Sequence, residues 1–184
     1  MMIDQITTAT PTTSPAASFA AVAVALFVAH QVADHWAQSS HQAAHKGLPG
    51  WKGRLACLEH VASYTLCTTL AVLCTWLLLD LPVTLGGVIL GQVISAVTHY
   101  WADRRATLQR LAKRLRLGGF YGLGSPRPVR VLVVDEHGLP AYDADGQPVT
   151  VPVDAPALGT GAYALDQSWH YLWLGVAALV TVLI

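Results

Sequence analysis

Histidine and aspartate recur as pairs, four residues apart, in three stretches of the sequence that are otherwise apolar. The pairs are His30 with Asp34, His99 with Asp103, and Asp166 with His170. Residues four apart stack on one face of an α-helix, so both side chains of a pair can reach the same point. A fourth apolar stretch carries His60. Neutral imidazole and carboxylate groups are ligands for zinc, iron or manganese, and the pattern therefore predicts a metal site.

The predicted metal ligands are His30, Asp34, His60, His99, Asp103, Asp166 and His170. Helical bundles build such sites from inward-facing pairs on several helices, and this set could hold one divalent transition-metal ion or two. Gln38, Glu59 and Gln167 are close enough in the sequence to hydrogen-bond to the ligands. Glu59 could instead act as a catalytic general base towards water at the metal.

Two other interpretations of the same residues stay open. Buried histidine and aspartate side chains can form a metal-free hydrogen-bonded network, and they can also form a path for protons or ions. His35, His41 and His45 lie towards a loop, where we expect solvent or lipid headgroups around them.

Long apolar runs dominate the composition. The chain of 184 residues is 53% hydrophobic and 12% charged, whereas soluble domains carry about 25% charged residues. Each run reaches the roughly 20 residues that are needed to cross a bilayer. We predict an all-α fold, an integral membrane four-helix bundle, with spans over residues 16–38, 54–81, 83–102 and 161–184 behind a disordered tail of residues 1–15.

Two polar segments separate the third and fourth predicted spans. Residues 104–117 mix arginine and lysine with leucine at helical spacing, which predicts a basic amphipathic helix that lies on the membrane surface and binds anionic lipid headgroups. Residues 125–160 combine β-branched runs with two turn sequences rich in Asp and Gly. This pattern predicts a small cytoplasmic β-hairpin insertion.

Lysine and arginine are concentrated in the loops after the first and third predicted spans. Such loops stay in the cytoplasm, which places both termini outside. The first and third spans then run towards the cytoplasm and the other two away from it, so all predicted ligands fall in the cytoplasmic half of the membrane. Gly87, Gly91 and Ser95 continue the line of His99 and Asp103 along one helix face, which allows close helix packing on the ligand face.

The formal net charge is zero, so nothing in the composition points to nucleic-acid binding. The partner that the sequence predicts is membrane lipid.

The ordered polar residues resemble a family of uncharacterised bacterial inner-membrane proteins, domain of unknown function 3307. The residues that carry the resemblance are His30, Asp34, Gln38, His60, His99, Tyr100, Asp103, Asp166, Gln167 and His170. The resemblance implies a small, multi-pass protein of the bacterial cytoplasmic membrane with this polar set, and it implies no established activity. Compared with that family, the segment between Gly124 and Gly161 looks like an insertion ahead of Asp166 and Gln167. More loosely, the helices resemble membrane-bound metal-dependent hydrolases of bacteria.

Three functional hypotheses follow from the residues. The first is a membrane-embedded metal-dependent hydrolase that acts on a lipid or a lipid-linked substrate at the cytoplasmic leaflet. The second is a transporter of metal ions or protons, although the outer halves of the predicted spans contain few polar groups. The third is a non-catalytic structural or partner-binding membrane protein, in which the polar cluster only holds the helices together.

Overall fold

The structure, a computed structural model, describes residues 13–124, 128–154 and 161–184 and is mostly helical. The elements in chain order are α1 (Pro15–Val32), a π-helical turn (Ala33–Ala37), α2 (Ser40–His45), α3 (Gly50–Leu79), α4 (Leu85–Asp103), α5 (Ala106–Arg114), α6 (Gly118–Tyr121), β1 (Pro128–Leu132), β2 (Thr150–Asp154) and α7 (Gly161–Leu183). The prediction of a disordered tail falls almost wholly outside the described residues, and Pro15 already belongs to α1. A helix lies over each of the four segments for which the sequence predicts a span.

The chain divides into two compact units, Met1–Leu108 with Asp166–Ile184, and Gln109–Leu165. In the first unit, α3 packs against α1 and against α4, and α4 packs against α7. Ser14 caps α1 by accepting from the Ala17 backbone N–H, and Thr84 caps α4 by accepting from the Gly87 N–H. Such caps satisfy backbone donors that a helix leaves free at its first turn.

An apolar core fills one end of the first unit. It is built from Val22, Leu26, Val72, Val88 and Leu174, among others. The opposite faces of the same helices expose large apolar side chains, and those more than half exposed on α3 and α4 include Leu66, Leu70, Leu77, Leu78, Leu85 and Ile89. Faces of this kind are unusual on a protein in water and ordinary on a helix that contacts lipid.

Two helices among the described residues are long and apolar enough to cross a membrane, Pro15–Ala37 and Gly50–Leu79. This statement concerns length and composition only. The helices α4 and α7 carry polar residues at intervals, Gln92 and His99 in α4 and Asp166 and His170 in α7, which lower their hydropathy. The four-span membrane bundle therefore stays a prediction.

Small residues bring α4 and α7 close together. A methyl group on Gly87 would lie 2.5 Å from the backbone oxygen of Thr181, and one on Gly91 would collide with the Thr181 side chain. The Thr181 hydroxyl donates to the Ala177 backbone oxygen in its own helix, so it stays folded against α7. The two glycines therefore fix the distance between these helices.

The second unit contains a short antiparallel sheet in which β1 pairs with β2, with Pro128 opposite Asp154 and Leu132 opposite Thr150. Between the strands, Asp135 and Asp143 each begin a turn and accept hydrogen bonds from two backbone N–H groups through Oδ1. Gly138 and Gly146 complete the turns at φ +78° and +74°, a backbone conformation that favours glycine. The cytoplasmic location of this segment stays a prediction.

We expect Gly87→Ala and Gly91→Ala to lower the free energy of unfolding by about 1–3 kcal/mol, because the added methyl group overpacks the α4–α7 contact. The measurement is chemical unfolding of the detergent-purified protein. Gly86→Ala is the matched control, since its methyl group would meet only the Thr84 hydroxyl oxygen at 3.7 Å. Equal stability of all three variants would contradict the close packing of α4 and α7.

Candidate metal centre

The first unit brings all seven predicted ligand residues together at one end of its helices. Their donor atoms form three groups in which all atoms lie within 4.8 Å of one another: His30, His99 and His170; Asp34, His60 and His99; and Asp103, Asp166 and His170. The side chains of the four histidines and of Asp103 are less than 5% exposed. Four separate helical segments therefore supply the predicted ligands to one buried place.

Asp34 lies in the π-helical turn that follows α1. In this turn the backbone N–H of Gln38 donates to the Ala33 oxygen, five residues earlier, at 3.0 Å. Single π-helical turns within α-helices are frequent at functional sites because they re-aim a side chain. Here the turn carries the Asp34 carboxylate, whose Oδ1 lies 3.3 Å from His60 Nε2 and 3.4 Å from His99 Nε2.

These three atoms form a nearly equilateral triangle, because His60 Nε2 and His99 Nε2 are 3.0 Å apart. A tetrahedral zinc ion with bonds of about 2.0–2.1 Å has ligand atoms roughly 3.3–3.4 Å apart. The triangle therefore matches one face of such a coordination sphere. Catalytic zinc sites commonly use three protein ligands and leave a fourth position for water or substrate.

The Asp103 carboxylate lies between the triangle and another predicted ligand, His170. Its Oδ2 lies 3.2 Å from the Nε2 atoms of His60 and His99, while its Oδ1 lies 4.0 Å from His170 Nε2. The next carboxylate, Asp166, places its Oδ2 3.6 Å from the same nitrogen. Asp103 is thus the residue that joins the two neighbouring sets of donor atoms.

A ring contact and two hydrogen bonds join α3 to α4 along the side of the helices that leads away from the site. The Tyr64 ring stacks on the His99 ring at a centroid distance of 3.8 Å, and the Tyr64 hydroxyl and the Ser95 hydroxyl are 2.6 Å apart. One turn further, the Thr68 hydroxyl donates to Gln92 Oε1 at 2.8 Å. The series fixes the register of the two helices and so the heights of His60 and His99.

The sequence interpretation missed Lys46, which it assigned only to the basic loop. The Lys46 ammonium lies 2.9 Å from Asp103 Oδ2, and the residue is 8% exposed. Arg104, the residue after Asp103, donates to the backbone oxygens of Lys46 and Leu48, each at 2.6 Å. No short-range spacing in the sequence marks Lys46, because the contact depends on how the loop folds back over the end of α4.

The loop that carries Lys46 also presses on α3. A methyl group on Gly53 would collide with the backbone oxygen of Leu48. Gly53 and Arg104 therefore contact the loop from two sides. In this position the loop places the buried Lys46 ammonium group beside the Asp103 carboxylate.

Glu59 is the predicted site residue that the structure does not bring to the cluster. Its side chain is exposed on α3, whereas the adjacent His60 is fully buried. Neighbouring residues on a helix point about 100° apart, because a turn takes 3.6 residues. A general base at Glu59 therefore has no support in this geometry.

The other residues considered in the sequence differ in how far they are buried. Gln167 is buried and lies beside Asp166, with its amide nitrogen 3.5 Å from Asp166 Oδ2. Gln38 is half-buried. His35 and His41 are exposed and His45 is half-buried, and none of the three belongs to a described group of donor atoms.

Comparison of the chain with protein-family models, with curated proteins and with solved structures finds no match. The resemblance to the domain of unknown function 3307 family therefore stays a prediction. The class that the fold and the site define is a mostly helical protein with candidate metal-binding clusters of histidine and aspartate and with two helices apolar enough for a membrane.

We expect Lys46→Met to destabilise the metal-free protein by about 3–5 kcal/mol, the usual cost of breaking a buried ion pair. The loss should be smaller in metal-loaded protein, because a bound cation offsets the same carboxylates. Unfolding of chelated and metal-loaded samples measures both values. Lys52→Met is the matched control, since Lys52 is exposed in the same region. Equal effects of the two substitutions would show that the Lys46 contact does not balance the charge of the site.

Proposed function

We propose that this chain is a membrane-embedded metal-binding protein that acts as a metal-dependent hydrolase. Its substrate class is a lipid or a lipid-linked compound at the cytoplasmic leaflet of a bacterial membrane. The four long helices would cross the bilayer with both termini outside. The two apolar helices and the exposed apolar faces of α3 and α4 support the membrane location.

The observation that carries the proposal is the triangle of Asp34 Oδ1, His60 Nε2 and His99 Nε2, with sides of 3.0–3.4 Å. Three separate helical segments supply its corners, and both imidazoles are at most 1% exposed. Asp34 Oδ1 has no partner of good hydrogen-bond geometry in the described part of the chain. His60 Nε2 and His99 Nε2 lie within hydrogen-bond distance of each other, and the spacing of all three atoms also suits a shared ion.

The chemistry of a hydrolase follows from this donor set. A bound divalent ion would supply Lewis-acid activation of water and polarisation of the substrate. Asp34, His60 and His99 would hold it, and Lys46 would keep the Asp103 carboxylate in place beside it. The predicted basic helix at residues 104–117, which follows Asp103 in the sequence, would bind anionic headgroups, which favours phosphate-bearing lipids as substrates.

Transport of ions or protons is the second hypothesis, and the helix interior gives it less support. The polar series between α3 and α4 reaches Thr68 and Gln92, which satisfy each other by hydrogen bonding. Beyond them lies the apolar core around Val72, Val88 and Leu174. An ion that crosses the bundle would need several polar partners there, and the buried polar side chains described in that region include only neutral hydroxyls such as those of Ser18 and Thr181.

The first test is metal content. We expect detergent-purified protein to bind zinc or manganese in at least equimolar amount, and His99→Ala to lower the affinity by more than the 10–100-fold that loss of a supporting residue typically costs. Elemental analysis after dialysis against a known free-metal concentration measures this. His41→Ala is the matched control, because His41 is exposed. A wild-type protein without bound transition metal would overturn the proposal.

The second test is turnover. Purified protein should hydrolyse a phospholipid or a polyprenyl phosphate in mixed micelles only when a divalent metal is present, and Asp34→Asn should abolish the reaction, because it removes a charged donor. The His41→Ala protein should retain full activity. If metal binds but no lipid phosphate is cleaved and a proteoliposome carries metal ions across its membrane, the transport hypothesis replaces this one.

A further inference from the structure

Of the three groups of donor atoms in the site, two share no residue with each other, while His30, His99 and His170 form a third group that overlaps both. The first set is Asp34, His60 and His99, and the second is Asp103, Asp166 and His170. The Asp103 carboxylate lies between them, with Oδ2 towards the nitrogens of the first set and Oδ1 towards His170. Carboxylates in this position commonly lie between neighbouring metal ions in helical bundles.

The second set is wider and richer in oxygen than the first. His170 Nε2 lies 3.6 Å from Asp166 Oδ2 and 4.0 Å from Asp103 Oδ1, against sides of 3.0–3.4 Å in the first triangle. Manganese prefers carboxylate ligands more than zinc does, and imidazole-rich sets suit zinc. The two sets therefore differ in the ion that each should prefer.

Burial and unpaired donors support a ligand at the second set. His170 is 3% exposed, and its Nε2 has no partner of good hydrogen-bond geometry among the residues that the structure describes. The same is true of both ring nitrogens of His30, which is fully buried beside the His170 ring at a centroid distance of 4.9 Å. A buried polar atom without a hydrogen-bond partner lowers the stability of the fold, and such an atom often indicates a water or an ion that binds there.

The second set is the more exposed of the two. The Asp166 side chain is 28% exposed, whereas Asp34, the most exposed residue of the first set, is 10% exposed. Solvent therefore reaches the second set more readily than the first.

We propose that the chain binds a second divalent ion through Asp103, Asp166 and His170, next to the ion held by the first set, and that this second site prefers manganese. The inference rests on the proposed metal-binding function. Two ions about 3.5–4 Å apart can hold the attacking and leaving oxygens of a phosphate ester together. The second ion would thus make the centre suited to phosphate-bearing substrates.

The experiment measures manganese and zinc per chain in wild type, Asp166→Asn and His60→Ala after dialysis against both metals. We expect two equivalents in wild type, loss of the manganese equivalent in Asp166→Asn, and loss of the zinc equivalent in His60→Ala. One equivalent in wild type at saturating metal overturns the second site and leaves the proposed function intact. No bound metal overturns the proposed function itself.

A spectroscopic measurement on unmodified protein keeps the test independent of variant folding. Wild type loaded with manganese alone should give the electron paramagnetic resonance spectrum of two exchange-coupled Mn²⁺ ions. Asp166→Asn should give the spectrum of isolated Mn²⁺, and Asp80→Asn, which alters an exposed carboxylate of the same unit outside the site, should leave the coupled spectrum unchanged. An isolated Mn²⁺ spectrum in fully loaded wild type contradicts the proposal.

Discussion

The constraint on which the rest of this structure depends is the convergence of three carboxylates, one buried and two partly buried, at one end of an otherwise apolar helical unit. Ionised groups away from water are expensive unless they are paired or bind a metal. Against Asp34, Asp103 and Asp166 the structure sets one ammonium group, that of Lys46. With neutral imidazoles the cluster then has a formal charge of −2. One divalent ion would neutralise it, and a second would favour an anionic substrate.

Contacts in the apolar part of the first unit determine the positions of the helices along their axes, and these positions determine whether the side chains of the cluster can meet. Gly87 and Gly91 seat α4 against α7, and the pairs Tyr64–Ser95 and Thr68–Gln92 fix α4 against α3. A slip of one helical turn would move a side chain by about 5.4 Å, more than any distance within the first triangle. The exact contacts far from the ligands are therefore a condition for donor atoms to meet.

The sequence was sufficient to predict which histidine and aspartate side chains converge, and insufficient for the residues around them. The spacing of four within each His/Asp pair is local, so helix geometry alone predicts that both side chains of His99 and Asp103 share a face. Lys46 reaches Asp103 only through the folding of a loop, and the π-helical turn at Asp34 has no clear sequence signal. Glu59 shows the limit of closeness in sequence, because it is adjacent to the buried His60 and yet lies on an exposed face of α3.

The exposure of the carboxylates argues for the direction from which a substrate arrives. Asp103 is almost fully covered, Asp34 is 10% exposed, and Asp166 is 28% exposed. The opposite end of the helices is closed by Val22, Leu26 and Val72. The most exposed carboxylate of the cluster is therefore Asp166, and the apolar core lies at the other end of the same helices. That asymmetry is the reason for which we propose hydrolysis of a headgroup rather than passage of an ion across the membrane.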